Sequence, residues 1–143
     1  MSFIPEKIAA FDFDGTLTTQ DTMFAFISFV KGKMALYFGM LWLLPMLLRF
    51  KFGFKDRQQA KEQLLYHFFG KMDEATLKQY AISFCQQKIP TMLRSEMMDR
   101  LSWHQEEGHA CMLVSASLDL WLTPFAEQHN LQLLCTQAQF AGG

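Results

Sequence analysis

Cysteine is scarce in this chain, with three in 143 residues, and Cys85, Cys111 and Cys135 are too widely spaced for a metal motif. An odd count without a recognisable secretory leader argues against a disulfide framework and suits a reducing cytoplasm. Excess charge of either sign is lacking too, since 13 Lys and Arg against 14 Asp and Glu leave a formal net charge of -1. A chain so balanced presents no broad basic field, so nucleic acid is not an expected partner. No Lys or Arg follows Arg100, and beyond Asp119 the only acid is Glu127. Long apolar runs are also missing. The greasiest stretch, Met34 to Leu48, falls short of the roughly 20 residues that a spanning helix needs. Repeats and low-complexity segments are absent. What remains is a chain that is 50% hydrophobic and 15% aromatic, enough to bury one ordinary core.

Two element patterns divide the chain. Lys7 to Phe13, Ala110 to Val114 and Leu131 to Thr136 read as short buried strands, with Ser115-Ala116-Ser117 closing the second. Between the first and second lie five expected helices. One is capped by Asp21 or Thr22 and stopped at Gly32. The next fills 33–52, bent or broken near Pro45 and closed by Gly53. A third covers 55–69 up to Gly70. A fourth runs from Asp73 to about Lys88, with Leu77, Tyr80, Ala81 and Phe84 on one face. The last has Pro90 in its first turn and ends at Gly108. A helix over 118–129, interrupted or bent at Pro124, joins the last two strands. Strand, helical insert, then strand–helix–strand suggests an α/β fold with a right-handed crossover and an all-helical cap.

The chemistry concentrates at the end of the first strand. Phe11-Asp12-Phe13-Asp14-Gly15-Thr16-Leu17-Thr18 places two carboxylates there, where a parallel sheet keeps its ligands. Carboxylates in such a place are costly unless a metal, a donor network or a reaction needs them. Ser115, at the end of the second strand, offers a hydroxyl, and Ala116 begins the run of amides that can hold a phosphate before a helix. An Asp-Gly turn and a plain helix cap, with Ser117 as the capping residue, are the ordinary readings of these two segments.

Together they resemble the haloacid dehalogenase superfamily of phosphatases, whose first motif is matched at Asp12, Asp14, Gly15, Thr16, Leu17 and Thr18 and whose second is matched at Ser115. The resemblance implies a Rossmann-like core, here three parallel strands at 1–19 and 108–143, with a helical cap at 20–107. It implies Asp12 as nucleophile, giving an aspartyl-phosphate, and Asp14 as general acid and base. It also implies Thr16 steadying the loop and the second Asp, and Ser115 and Ala116 binding phosphate. Mg²⁺ would sit on an Asp12 oxygen and the Asp14 carbonyl. The phosphoserine-phosphatase-like branch often carries an acid over the site where Asp21 falls, so Asp21 is either substrate-facing or a helix cap. The apolar cap helix resembles the phosphatidylglycerophosphatase C type, which implies a lipid phosphate as the phosphomonoester.

The family's third and fourth motifs, a Lys and an acidic pair, have no counterpart here. A truncated chain with impaired turnover is therefore the expectation, its first strand left with an open edge for a second copy or a borrowed strand. A non-catalytic module that binds a phosphate ligand or a membrane surface is the alternative. Lys31, Lys33, Arg49, Lys51 and Lys55 flank the greasy stretch, which is either a buried cap helix or one lying on the bilayer, peripheral at the inner membrane. Arg57, Lys61, Arg94 and Arg100 either line the cap's entrance or form solvated faces. His67, His104, His109 and His129 lack the spacing of a zinc pair and read as surface or loop residues.

Overall fold

A computed structural model describes residues 7–51 and 57–140 of the chain. Strand β1 (Ile8–Phe11), β2 (Ala110–Leu118) and β3 (Gln132–Thr136) form one parallel sheet in the order β1-β2-β3. The register pairs Phe11 with Leu113 and Leu113 with Leu133. Every strand thus points the same way, and β1 stops beside Leu113 while β2 runs on to Leu118. That is the α/β, Rossmann-like arrangement expected from the element order.

Helices α1 (Thr22–Lys31), α2 (Lys33–Lys51), α3 (Arg57–Phe69), α4 (Glu74–Gln87) and α5 (Ser95–Glu106) separate β1 from β2, and α6 (Asp119–Gln128) links β2 to β3. The stop of α1 falls where glycine requires it: Gly32 takes a φ of 89°, open to glycine without strain. Asp73 caps α4 by accepting from the Thr76 amide, and this bond to the charged form holds its carboxyl below the usual range. Both prolines expected to interrupt helices are carried inside continuous ones, Pro45 in α2 and Pro124 in α6. The stop at Gly53 and the start near Lys55 lie outside the described residues.

Three expectations are corrected. Tyr80 does not face the core. The buried stripe of α4 is Leu77, Ala81, Phe84 and Cys85, one helical step round from it. The single helix expected from Pro90 onward is a short 3₁₀ turn, Ile89–Met92, followed by α5. It breaks because Leu93 pairs with Thr18, the Thr19 amide bonds the Met92 carbonyl, and the Arg94 amide bonds the Leu17 carbonyl. Backbone that would have continued a helix is spent on bracing the loop after β1. His104 and His109 are not separate surface residues either, since their Nδ1 atoms meet at 2.9 Å between Trp103 and Phe11.

The core is aromatic and lies between the sheet and the helices. Trp121 of α6 is fully buried against Phe26 of α1 and Phe84 of α4, with ring centroids 4.7 and 5.9 Å apart. Phe13 stacks edge-on against Phe125. Burial pushes the Cys85 and Cys111 thiols up, which keeps them protonated apolar fillers. Helix α2 reaches this core through an inner stripe of Leu36, Met40 and Leu43.

Buried Gly39 lies in that stripe, where a Cβ would run into the ring of Phe68 on α3. Gly39→Ala is therefore expected to force α2 and α3 apart and cost about 1–3 kcal/mol, an overpacking penalty. Chemical denaturation checks it. An unchanged midpoint would mean that Phe68 yields freely and that the close approach is unimportant.

Candidate active site

The site begins where β1 stops. Asp12 is exposed and takes extended backbone angles, and its Oδ1 accepts the Phe13 amide at 2.7 Å. Its Oδ2 has only a marginal approach from the Thr16 hydroxyl, at 3.5 Å. Two partners on a carboxylate leave lone pairs for something else. The turn Phe13–Leu17 then reverses the chain at Gly15, whose φ is 74°. Thr18 closes it: its hydroxyl accepts the Gly15 amide at 3.3 Å and lies 2.7 Å from the Gln20 carbonyl.

Asp14 faces the other way. Its Oδ1 accepts the Thr22 amide at 2.9 Å and the Thr22 hydroxyl at 2.6 Å, and its Oδ2 accepts a very short bond from the Ser117 hydroxyl. Thr22 and Ser117 are themselves buried, and each hydroxyl has one hydrogen. With both hydrogens directed at Asp14, the Thr22 oxygen is left to accept the Trp121 indole N–H at 3.1 Å. A carboxylate, two hydroxyls and an indole from four segments thus satisfy one another at the sheet's end, and charge assistance makes such bonds strong.

Several expected placements change accordingly. Thr16 touches Asp12 and not Asp14, because the reversal at Gly15 brings it back over the residue four before it. Asp14 is steadied by Thr22 and Ser117 instead. Strand β2 does not end at Val114 but continues to Leu118, with a register shift between the two. Ser117 is not the cap of α6. The capping position is Leu118, and the Ser117 hydroxyl is drawn to the nearer carboxylate. Asp21 takes the helix-cap alternative, its Oδ1 accepting the Met23 and Phe24 amides at 2.9 and 3.3 Å.

Ser115 sits half-buried in the extended end of β2, its hydroxyl accepting the Ser117 amide at 3.1 Å. The pairing of Phe11 with Leu113 puts Asp12 alongside Val114, one residue before Ser115. The exposed Ala116 holds its carbonyl toward the Lys61 ammonium, 2.5 Å away, and the Thr136 hydroxyl, 3.0 Å away. Of Arg57, Lys61, Arg94 and Arg100, then, Lys61 reaches the C-terminal part of β2. Arg94 is also engaged, its Nε donating to the Thr18 carbonyl at 3.4 Å, whereas Arg57 and Arg100 are exposed. Sequence spacing gave no sign that Thr22, Ser117 and Trp121 share a partner, since Asp14 lies 8 and 103 residues from the first two.

For a divalent cation, the chemistry of the donors is the test. Mg²⁺ takes hard oxygen ligands and is commonly held by one or two carboxylates together with substrate phosphate. The open Asp12 carboxylate beside the main chain of the Asp14 turn meets that description. Among the described residues no cluster of three or more His, Cys, Asp or Glu side chains could hold a metal by itself. The donor set therefore fits an ion that arrives with phosphate better than a tightly caged one.

Residues 9–143 match the model of the haloacid dehalogenase-like hydrolase family. Protein CicA of Caulobacter vibrioides is 32% identical over 127 residues, which cover 89% of this chain and 56% of that protein. A Bordetella pertussis protein of unknown function shares the fold at a TM-score of 0.75 and 22% identity, over 96% of this chain and 63% of that one. A phosphoserine phosphohydrolase-like protein from Francisella tularensis aligns at a TM-score of 0.58 and 18% identity, covering 90% and 57%. The chain spans just over half the length of the curated relatives that it matches.

Proposed function

We propose that this chain, which belongs to the haloacid dehalogenase-like hydrolase family, carries the nucleophile of a Mg²⁺-dependent phosphomonoesterase whose substrate is a lipid phosphate. The observation that carries the reading is the open Asp12 carboxylate just past β1, near the Ser115–Ala116 stretch of β2 where its register shifts. Phosphoryl transfer is mostly positioning and charge neutralisation, and an open carboxylate near a hydroxyl and backbone amides supports that reading.

In this mechanism an Asp12 oxygen attacks phosphorus, and the bond from phosphorus to the ester oxygen breaks. Asp14 turns from Thr22 and Ser117, takes up a proton from solvent, and gives that proton to the leaving alkoxide. A water then loses its proton to Asp14 and attacks the aspartyl-phosphate, which releases inorganic phosphate and restores Asp12. Ser115 and the amide of Ala116 orient the phosphate, and Lys61 brings positive charge to the same stretch of β2. Mg²⁺, held by the Asp12 carboxylate and the Asp14 carbonyl, would supply neutralisation of the phosphate oxygens. The helices of 20–107 act as the cap.

The lipid assignment is supported by an open groove of about 480 Å³ between α2 and α3, lined by Phe38, Trp42 and Phe68 with Lys31 and His67 at its wall. Such a groove suits an acyl chain far better than an amino-acid zwitterion. Turnover of a lipid phosphate, an aryl phosphate and phosphoserine by the protein carrying this chain, with Mg²⁺ or with EDTA, tests both levels. Mg²⁺-dependent hydrolysis favouring the lipid is expected. Preference for phosphoserine would overturn the substrate, and phosphate binding without turnover would favour a non-catalytic module.

A further inference from the structure

Helix α2 is apolar all round, and only one side of it is covered. Leu36, Met40 and Leu43 pack inward, while Tyr37, Phe38, Leu41, Trp42 and Leu48 point outward, with Trp42 79% exposed and Leu41 66%. Ordinary surface helices carry polar residues on that outer side. Here no polar side chain occurs between Lys33 and Arg49 except the phenol of Tyr37.

Charge accompanies this face with one sign. From Thr22 to Lys51 there are four cations, Lys31, Lys33, Arg49 and Lys51, and no acid, in a chain whose formal net charge is -1. The cations stand at the two ends of α2, and Lys31 shares a groove wall with Phe38 and Trp42. An outward apolar stripe bracketed by cations is complementary to the surface of an anionic bilayer, with apolar side chains among the acyl chains and ammonium groups at the headgroups.

The geometry points to docking and not to insertion across the membrane. Among the described residues no single helix is long and apolar enough to span, and α1 meets α2 at a bend of 118°. Helix α1 is committed elsewhere, because Phe26 and Ile27 are fully buried in the aromatic core and cannot enter lipid without unfolding it. We therefore propose that α2 lies in the interface of an anionic bilayer, with Trp42 and Leu41 immersed and Lys31, Lys33, Arg49 and Lys51 at headgroup level. The inference does not rest on the hydrolase reading, since binding is measured without turnover.

The test is co-sedimentation with phosphatidylcholine vesicles, with and without phosphatidylglycerol, at low and high salt. The unaltered protein should pellet with the anionic vesicles and be released by salt. Leu41→Ser with Trp42→Ser, both on exposed positions and checked for native circular dichroism, should weaken binding at least tenfold. Lys31→Glu or Lys33→Glu should weaken it by about fivefold or more each, given the usual contribution of one cation near such a surface. In a Trp103→Phe background, brominated lipid should quench the emission of Trp42, since Trp121 is buried. Absence of binding at low salt, or binding indifferent to the α2 substitutions, would overturn the proposal. So would the Leu41/Trp42 variant converting a dimer to a monomer while vesicle binding is absent, which would assign the face to a second copy of the chain.

Discussion

Asp12→Asn is expected to lower kcat by a factor of about 10⁴ to 10⁶, the scale seen when a group that works within a catalytic unit is removed. The fold should not notice. Asp12 is exposed, and its one short hydrogen bond comes from the Phe13 amide, which an Asn carbonyl oxygen accepts equally well. Steady-state kinetics together with a thermal melt separate the two effects. A variant that melts with the unaltered protein yet retains a tenth of its turnover would remove Asp12 from the chemistry. A variant that loses both would make the residue a structural one.

The second large effect is expected at Trp121. Its indole fills the centre of the core against Phe26 and Phe84, and its N–H completes the group around Asp14 through Thr22. Trp121→Ala should cost about 3–5 kcal/mol, the range for emptying a buried aromatic site. For a chain of this size that corresponds to a fall in Tm of roughly 10–20 °C. Trp121→Phe keeps most of the volume and removes the donor, and a lost hydrogen bond is worth about 1 kcal/mol. If Trp121→Phe lowered stability as much as Trp121→Ala, the hydrogen bond and not the packing would carry the weight. If Trp121→Ala melted within a few degrees of the unaltered protein, the aromatic centre would not be the core described above.

The element order, and the placement of Asp12 directly after the first strand, could be read from the sequence because each rests on a local pattern, whereas the second strand runs three residues past Ser115 to Leu118. Short apolar runs ending in Asp or Ser mark parallel strands, and caps such as Asp21 and Asp73 act within three residues. The network around Asp14 could not be read in that way. Ser117 looks like a cap until the fold brings a carboxylate nearer to it, and nothing local tells that the Trp121 indole ends on Thr22. The break after Met92 was hidden for the same reason, since it exists to pair with Thr18. In α2 the failure is of a different kind: an all-apolar helix has no periodicity from which to tell its inner side from its outer one, and only packing decides.

The claim that Asp12 is the nucleophile is tested most directly by trapping the intermediate. The protein carrying this chain is quenched in acid during turnover of a lipid phosphate with Mg²⁺, digested with trypsin and analysed by mass spectrometry. The expected result is a phosphoryl group on the peptide Ile8 to Lys31, assigned to Asp12 by fragmentation, removed by hydroxylamine and absent from Asp12→Asn. Turnover with that peptide unmodified, or a phosphoryl group on another residue, would contradict the mechanism.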